Sequence, residues 1–339
     1  SVISDLINPP DSAYKECHAS TLAETADGSI LASWFAGTKE GNNDVAIWGS
    51  KYSNGKWSKP VKWAKINNQP HWNPVLHYSK GETTLFFKVG RNCSHWKTWV
   101  MRSTDDGASW SKPEELIAGN VGGRGPVKNK CIELCDGTWL APGSNEIKSW
   151  KAFVDRSEDM GRTWTRTKLI DQPAHFVCKD KDGRDVRFGV IQPTLWESEP
   201  GKVHMLLRST CGKICRSDST DGGLTWCKVY ETDLANNNSG IDLAKLKDGS
   251  LLLAYNPVSK NWGPRCPMTL ARSTDNGLTW EKVIDLETET GREYSYPAVI
   301  ALQNGGAVVS YTWGREKIAT HLLTKIETTT IIDSKETAC

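Results

Sequence analysis

One eight-residue pattern, Ser-x-Asp-x-Gly-x-Thr/Ser-Trp, recurs along the chain and constrains its fold more than any other feature. Good copies run from Ser103 to Trp110, Ser157 to Trp164, Ser219 to Trp226 and Ser273 to Trp280, and a worn copy ends in Gly55-Lys-Trp57. The closing tryptophans, Trp57, Trp110, Trp164, Trp226 and Trp280, step by 53, 54, 62 and 54 residues. A period of that length belongs to blade-type repeats rather than solenoids. Within each copy the Asp accepts backbone N–H bonds in a tight turn, the Gly supplies a positive φ, and the Trp plugs the seam beneath a hairpin. The pattern is scaffold, and the chemistry has to be sought elsewhere.

A second marker runs in step with the first. Turn glycines at Gly28, Gly81, Gly137, Gly201, Gly249 and Gly305 each separate two apolar, alternating runs, such as Leu251-Leu-Leu-Ala-Tyr255, and six such turns mean six hairpins. About 56 residues per unit accommodate a four-stranded sheet with its connections. The fold class is therefore all-β, a six-bladed β-propeller of four-stranded antiparallel blades, read as a single domain over residues 1–339. The sixth unit has no box after Trp313, so the N-terminal segment is expected to complete that blade, with Cys17 and Cys339 placed to staple the closure.

Composition narrows the class of partner. With 42 Lys and Arg against 40 Asp and Glu, the net charge of +2 gives no broad basic field for nucleic acid. No apolar run approaches the roughly 18 residues of a membrane span. Ten cysteines without a C-x2-C spacing disfavour zinc ribbons and point to disulfides in an oxidising compartment. Sequons at Asn92 and Asn237, and a start at Ser1 with no signal-like apolar region, fit a processed, secreted glycoprotein. A monomer is expected, and no metal or cofactor motif is visible.

The boxes, with His18-Ala-Ser-Thr-Leu22, Trp34-Phe-Ala-Gly-Thr-Lys-Glu-Gly41, Asp44-Val-Ala-Ile-Trp48, Trp72-Asn-Pro-Val75 and Tyr294-Ser-Tyr-Pro-Ala-Val299, resemble the sialidase-like superfamily over about Tyr14 to Leu323. Within it they look like the bacterial and plant branch of BNR-repeat proteins. The resemblance implies a glycan or oligosaccharide substrate. It also implies an arginine cluster gripping a sugar carboxylate, a Tyr nucleophile activated by a Glu, and an Asp acid/base on a loop. A neutral phenol suits such a substrate, because a carboxylate nucleophile would be repelled by the sugar's own carboxylate.

In a propeller the innermost strands start at the central funnel. Counting back from each turn Gly places His18, Asn73, Lys128, Gln192, Asp242 and Tyr296 there, polar groups where a bare core would carry apolar ones. By the resemblance Tyr296 is the nucleophile, Arg208 and Arg265 are two carboxylate-binding arginines, and Asp44 is the acid/base with Glu40 as competitor. Lys128, Lys130, Asn73 and Trp72 are further substrate contacts. Tyr294, two residues earlier on the same strand, competes with Tyr296. Trp34, Trp48, Trp72, Trp96, Trp262 and Trp313 are candidate stacking platforms.

Two positions depart from the family pattern: His18-Ala-Ser20 replaces Arg-Ile-Pro, and Gln192 replaces the activating Glu. Gln192 cannot take a proton from Tyr296. Three mechanisms stay open: a retaining hydrolase using Tyr296 and Asp44, an inverting hydrolase pairing Asp44 or Glu40 with Asp242, and a lyase with His18 or Tyr296 as base. A carbohydrate-binding propeller without catalysis is the alternative from another class. The leading expectation is an exo-acting glycoside hydrolase for a terminal acidic sugar.

Overall fold

The computed structural model describes residues 1–173, 177–179 and 182–324, and among these there are strands, turns and loops but no helix. Six antiparallel sheets follow one another around a ring, forming a six-bladed β-propeller. Their innermost strands are Glu16–Glu24, His71–Ser79, Ile132–Glu133, Val190–Glu199, Asp242–Lys245 and Tyr294–Ala301. Each continues through a turn whose glycine (Gly28, Gly81, Gly137, Gly201, Gly249, Gly305) has φ between +81° and +92°. Val2–Ile7 pairs antiparallel with Lys317–Leu323 as the fourth strand of the last blade.

The core is divided rather than central. Six apolar clusters each join one blade to the next, so burial is shared among six seams. Every box tryptophan lies at the seam with the preceding blade. Trp164 meets Phe86 edge-on at 6.0 Å, Trp110 meets Trp63 at 5.1 Å, and the Trp57 indole donates to Thr320 Oγ1 across the first-to-last seam at 3.1 Å. The long 62-residue step holds an extra two-stranded ribbon, Val177–Lys179 with Asp185–Arg187.

The boxes are hydrogen-bonded turns on the side away from the funnel. In the fourth, Ser273 Oγ donates to Asp275 at 2.8 Å and accepts from the Gly277 amide at 2.8 Å, while Asp275 also accepts from the Thr279 amide. Two successive residues, Asn276 and Gly277, have φ of +60° and +82°. Such a turn favours Asn and Gly.

The expected disulfide set is not formed among the described residues. Cys17, Cys93, Cys131, Cys135, Cys211, Cys215, Cys227 and Cys266 are free thiols, and Cys339, the proposed partner of Cys17, lies outside the described residues. Cys17 and Cys131 pack instead as small apolar groups inside seams, where burial pushes their thiols up. The sequon at Asn237 is buried, with Nδ2 donating to Pro264 O at 2.9 Å, and so is closed to a glycan in the folded chain; Asn92 is exposed.

Ser273→Ala leaves the buried Gly277 amide without its acceptor and is expected to cost about 1–3 kcal/mol in urea unfolding. Hydroxyl and amide donors also hold Asp105, Asp159 and Asp275 down at about 2 against an ordinary 3.8. Their ionised form stabilises the fold; that contribution is complete above about pH 4 and is lost as pH falls through about 2. An acid titration of the Ser273→Ala variant should unfold at higher pH than wild type.

Candidate active site

The funnel is shaped by a defect repeated in the innermost strands. Ladder pairing skips between His18 and Thr21, Trp72 and Val75, Ile191 and Thr194, and Ser295 and Ala298. At these bulges Ala19, Asn73, Gln192 and Tyr296 take φ of +61°, +40°, +52° and +52°, and Lys128 adopts +61° just before the third inner strand. In three blades the next residue is proline (Pro74, Pro193, Pro297), which has no N–H for the ladder. A bulge re-aims its side chain. It separates Tyr296, half-buried and aimed into the funnel, from Tyr294, which is fully buried in the seam between blades 5 and 6. The competing assignment to Tyr294 is thereby removed.

Around Tyr296 the structure gathers Gln192, Arg208, Arg265, Lys128 and His18. Arg208 Nη1 and Gln192 Nε2 donate to the phenol oxygen at 3.0 and 3.2 Å. Gln192 Oε1 accepts from Arg208 at 3.1 Å, and since a guanidinium only donates, that contact fixes which way the amide faces. The Arg265 guanidinium lies 5.6 Å from the Tyr296 ring centroid and the Lys128 ammonium 5.7 Å. His18 packs on the same ring at 4.2 Å, its Nδ1 2.8 Å from Thr312 Oγ1. Burial, reinforced by Arg315, Arg265, Lys128 and Arg208, pulls the imidazole well below its ordinary range and keeps it neutral. The turn count placed His18 at the funnel, where it packs on Tyr296; the left-handed residue of that strand is Ala19, one position later.

Four predicted site residues, Asp242, Lys130, Asn73 and Trp72, stand apart from this cluster. Asp242 belongs to a deeper ring of cross-links in which Thr21 bonds the Leu76 amide, Thr194 bonds the Leu243 amide and Asp242 bonds the Val299 amide. Its carboxylate also receives Thr194 Oγ1 at 2.7 Å and Lys130 Nζ at 3.0 Å. This fully partnered group is a seam fastener and not half of a catalytic carboxylate pair. Lys130 accordingly lines a cavity of about 480 Å³ at the opposite mouth of the channel. Asn73 occupies its bulge. Trp72 stands at the rim, donating to Gly90 O at 2.7 Å and lying beneath Gly41 of the Thr38–Asp44 loop.

That loop carries both candidate carboxyl acids. Asp44 is exposed; partial burial pushes its carboxyl up, but the hydroxyl and amide of Thr38 outweigh this and hold it below the usual range. Glu40 accepts an ion-paired hydrogen bond from Arg315 Nη1 and so stands apart from Asp44 as the partner of a guanidinium. Of the candidate platforms, Trp34, Trp48 and Trp96 are buried, Trp313 is covered by Arg292 at 3.7 Å, and Trp262 is half exposed. Trp262 and Trp150 flank the Arg208 guanidinium at 5.5 and 5.6 Å.

Sequence reasoning missed Arg315, Glu293, Trp150 and Asn238. Arg208 Nε donates to Asn238 at 2.8 Å, and Glu293 Oε2 is shared by Arg315 Nε at 3.0 Å and Arg265 Nη1 at 3.4 Å. Arg315 thus brings a third guanidinium beside His18, where blade 1 lacks one. It comes from the connection between the second and third strands of the last blade. Such connections also hold Glu40, Asp44, Trp150, Trp262 and Arg265, and a count anchored on the other end of each hairpin does not reach them.

This ring and this cluster define a class: a sialidase-like β-propeller built on BNR repeats. The chain belongs to the family described as a BNR repeat-like domain, which matches residues 28–309. Its fold is similar to that of a protein of unknown function from Dyadobacter fermentans (TM-score 0.76, 17% identity, covering 96% of this chain and 99% of that one). It is likewise similar to a Hadza microbial sialidase (TM-score 0.78, 17% identity, 97% and 69%) and to the intramolecular trans-sialidase from Ruminococcus gnavus (TM-score 0.68, 13% identity, 95% and 98%). Among the described residues no group of three His, Cys, Asp or Glu is placed to hold a metal ion.

Burial pulls the Lys128 ammonium from an ordinary 10.5 down to about 7, with Asp242 opposing. The group is charged below that pH and neutral above it. Any anion that binds in the funnel is therefore expected to lose affinity severalfold as pH rises through about 7, and Lys128→Met should bind it more weakly and without that step, as read by calorimetric titration across pH.

Proposed function

We propose that the protein is a secreted, exo-acting glycoside hydrolase that removes a terminal acidic sugar from a glycan. The observation that carries this reading is the convergence of Arg208 and Arg265 on Tyr296, with Arg315 joined to Arg265 through the shared carboxylate of Glu293. Three guanidiniums clustered against like-charge repulsion make sense when an anion completes them, and a planar carboxylate matches their fork geometry. A sugar carboxylate seated there brings its anomeric carbon toward the Tyr296 oxygen.

Attack by Tyr296 forms a bond from the phenol oxygen to the anomeric carbon as the glycosidic bond breaks. The Arg208 and Gln192 donors to the phenol oxygen stabilise negative charge as it develops. The phenolic proton passes to a base, and the neutral imidazole of His18 beside the ring is that base in place of the missing Glu. Protonation of the leaving oxygen falls to Asp44 on the rim loop, which takes up that proton only on parting from Thr38, whose donors hold it ionised, and water then releases the sugar from Tyr296. The His18–Tyr296 adjacency favours one other reading, elimination from a uronate, in which the same pair supplies base and acid.

A panel of defined acidic oligosaccharides with NMR of the products tests this. Release of a saturated terminal acidic sugar is expected, and an unsaturated product absorbing in the ultraviolet would assign the lyase. Binding of the panel without turnover would reduce the protein to a carbohydrate-binding propeller. Tyr296→Phe should lower turnover to background while retaining substrate binding. Arg265→Ala should raise KM about 10- to 100-fold, the worth of one charged hydrogen bond to the carboxylate.

A further inference from the structure

Arg315 is the one guanidinium of the funnel that already holds a carboxylate from a rim loop. Its turn is strained, with φ of +59°, and its own carbonyl accepts from the Cys17 amide at 2.7 Å, which fixes it beside His18. Nε is held by Glu293, which also holds Arg265, so the two guanidiniums are tied to one carboxylate oxygen. Nη1 is held by Glu40, which is carried on the exposed loop between Gly37 and Val45. The opposite end of that loop is Asp44, fastened to Thr38.

Even with Glu40, cations outnumber carboxylates at this mouth. Arg208, Arg265, Arg315 and Lys128 face Glu293 and, from the loop, Glu40. Glu293 is fixed by Ser295 and two arginines. Glu40 is fastened by Arg315 alone among the described side chains, its backbone amide making only a long 3.4 Å contact to Glu16. An ion pair exposed to this degree, 25% and 37% of the two side chains, is easily exchanged for another anion.

We infer that Arg315 is a specificity-determining residue for the substrate carboxylate and that Glu40 is its resident stand-in, displaced when an acidic sugar binds. The inference rests on the acidic-sugar reading above. Displacement of Glu40 frees the Thr38–Asp44 loop at the moment the anion is seated, so the loop bearing the proton donor responds to the substrate's charge and ignores neutral sugars. Competition from a tethered carboxylate lowers apparent affinity by the fraction of time it is seated.

The test uses the full chain with N-acetylneuraminate, glucuronate and galacturonate and their methyl esters as probes. Affinity is read by calorimetry, and loop opening by hydrogen exchange over residues 38–44. Glu40→Gln is expected to tighten the carboxylate probe that binds wild type by about five- to tenfold and to leave its ester unchanged. Exchange in the loop should quicken when wild type is saturated, and should be fast from the start in Glu40→Gln. Arg315→Gln should weaken the carboxylate probe and abolish the gain when combined with Glu40→Gln. Unchanged or weaker binding in Glu40→Gln, with wild type binding normally, overturns this inference alone. If no acidic probe binds wild type or any variant, the acidic-sugar reading falls and this one falls with it. Glu40 is exposed and makes no core contact, so a thermal melt equal to wild type is expected for its variant.

Discussion

The funnel depends on one backbone constraint, the left-handed residue at the top of the innermost strands. In an unbroken strand Tyr296 would share a face with Tyr294 and enter the seam. The bulge turns it out, but a non-Gly residue in that conformation costs about 1–3 kcal/mol. Six such residues, Ala19, Asn73, Lys128, Gln192, Asn238 and Tyr296, stand at the same end of the inner strands, one per blade. What over-determines them is the ring beneath, where Thr21, Thr194 and Asp242 each pin a backbone amide of the next inner strand. Lys128 adds a link between strands by donating to Ile241 O at 2.8 Å and to Pro297 O. Strain at the mouth and a satisfied polar network below it are two parts of one device.

The same geometry concentrates positive charge. Arg208, Arg265, Arg315 and Lys128 share a small volume, although the whole chain carries only +2. Their mutual repulsion is met by the π faces of Tyr296, Trp150 and Trp262, by the carboxylate of Glu293, which two arginines share, and by Glu40 on Arg315. Donors fixed before a ligand arrives need little reorganisation to stabilise an anion. The near-neutral sum is thus a poor guide to the site, because the compensating acids are spread over the outer surface and the box turns.

How much of this was legible follows from period. The boxes and turn glycines repeat once per blade, so the ring, the seam role of Trp57, Trp110, Trp164, Trp226 and Trp280, and the place of Tyr296 and Gln192 could be read from spacing. The X-Pro pairs at Asn73, Gln192 and Tyr296 marked three of the bulges. Asp242 was misplaced because its inner strand, Asp242–Lys245, is short and its hairpin is reached after fewer residues, so a count from Gly249 lands below the mouth. Arg315 and Glu293 were invisible for a different reason. Arg315 sits in the connection between the second and third strands of the last blade and Glu293 in the loop entering that blade, and only the closure of the ring brings the last blade's turn against His18 of the first.

The replacement of Glu by Gln at position 192 is intelligible in these terms. A phenol oxygen has two lone pairs and one proton. Arg208 and Gln192 approach the Tyr296 oxygen as donors, so its proton must point away from them, while His18 covers the ring. A Glu at 192 would accept that proton itself, but it would also place a negative charge against Arg208, weakening the field that a substrate carboxylate needs. With Gln192 neutral, the charge of Arg208 is not cancelled from that side, and under the proposed hydrolase reading the proton acceptor has to come from elsewhere in the cluster. Under the same reading the two departures from the family pattern are linked: at the first, His18 stands as a neutral imidazole, and Arg315, entering from the last blade, brings a guanidinium beside it.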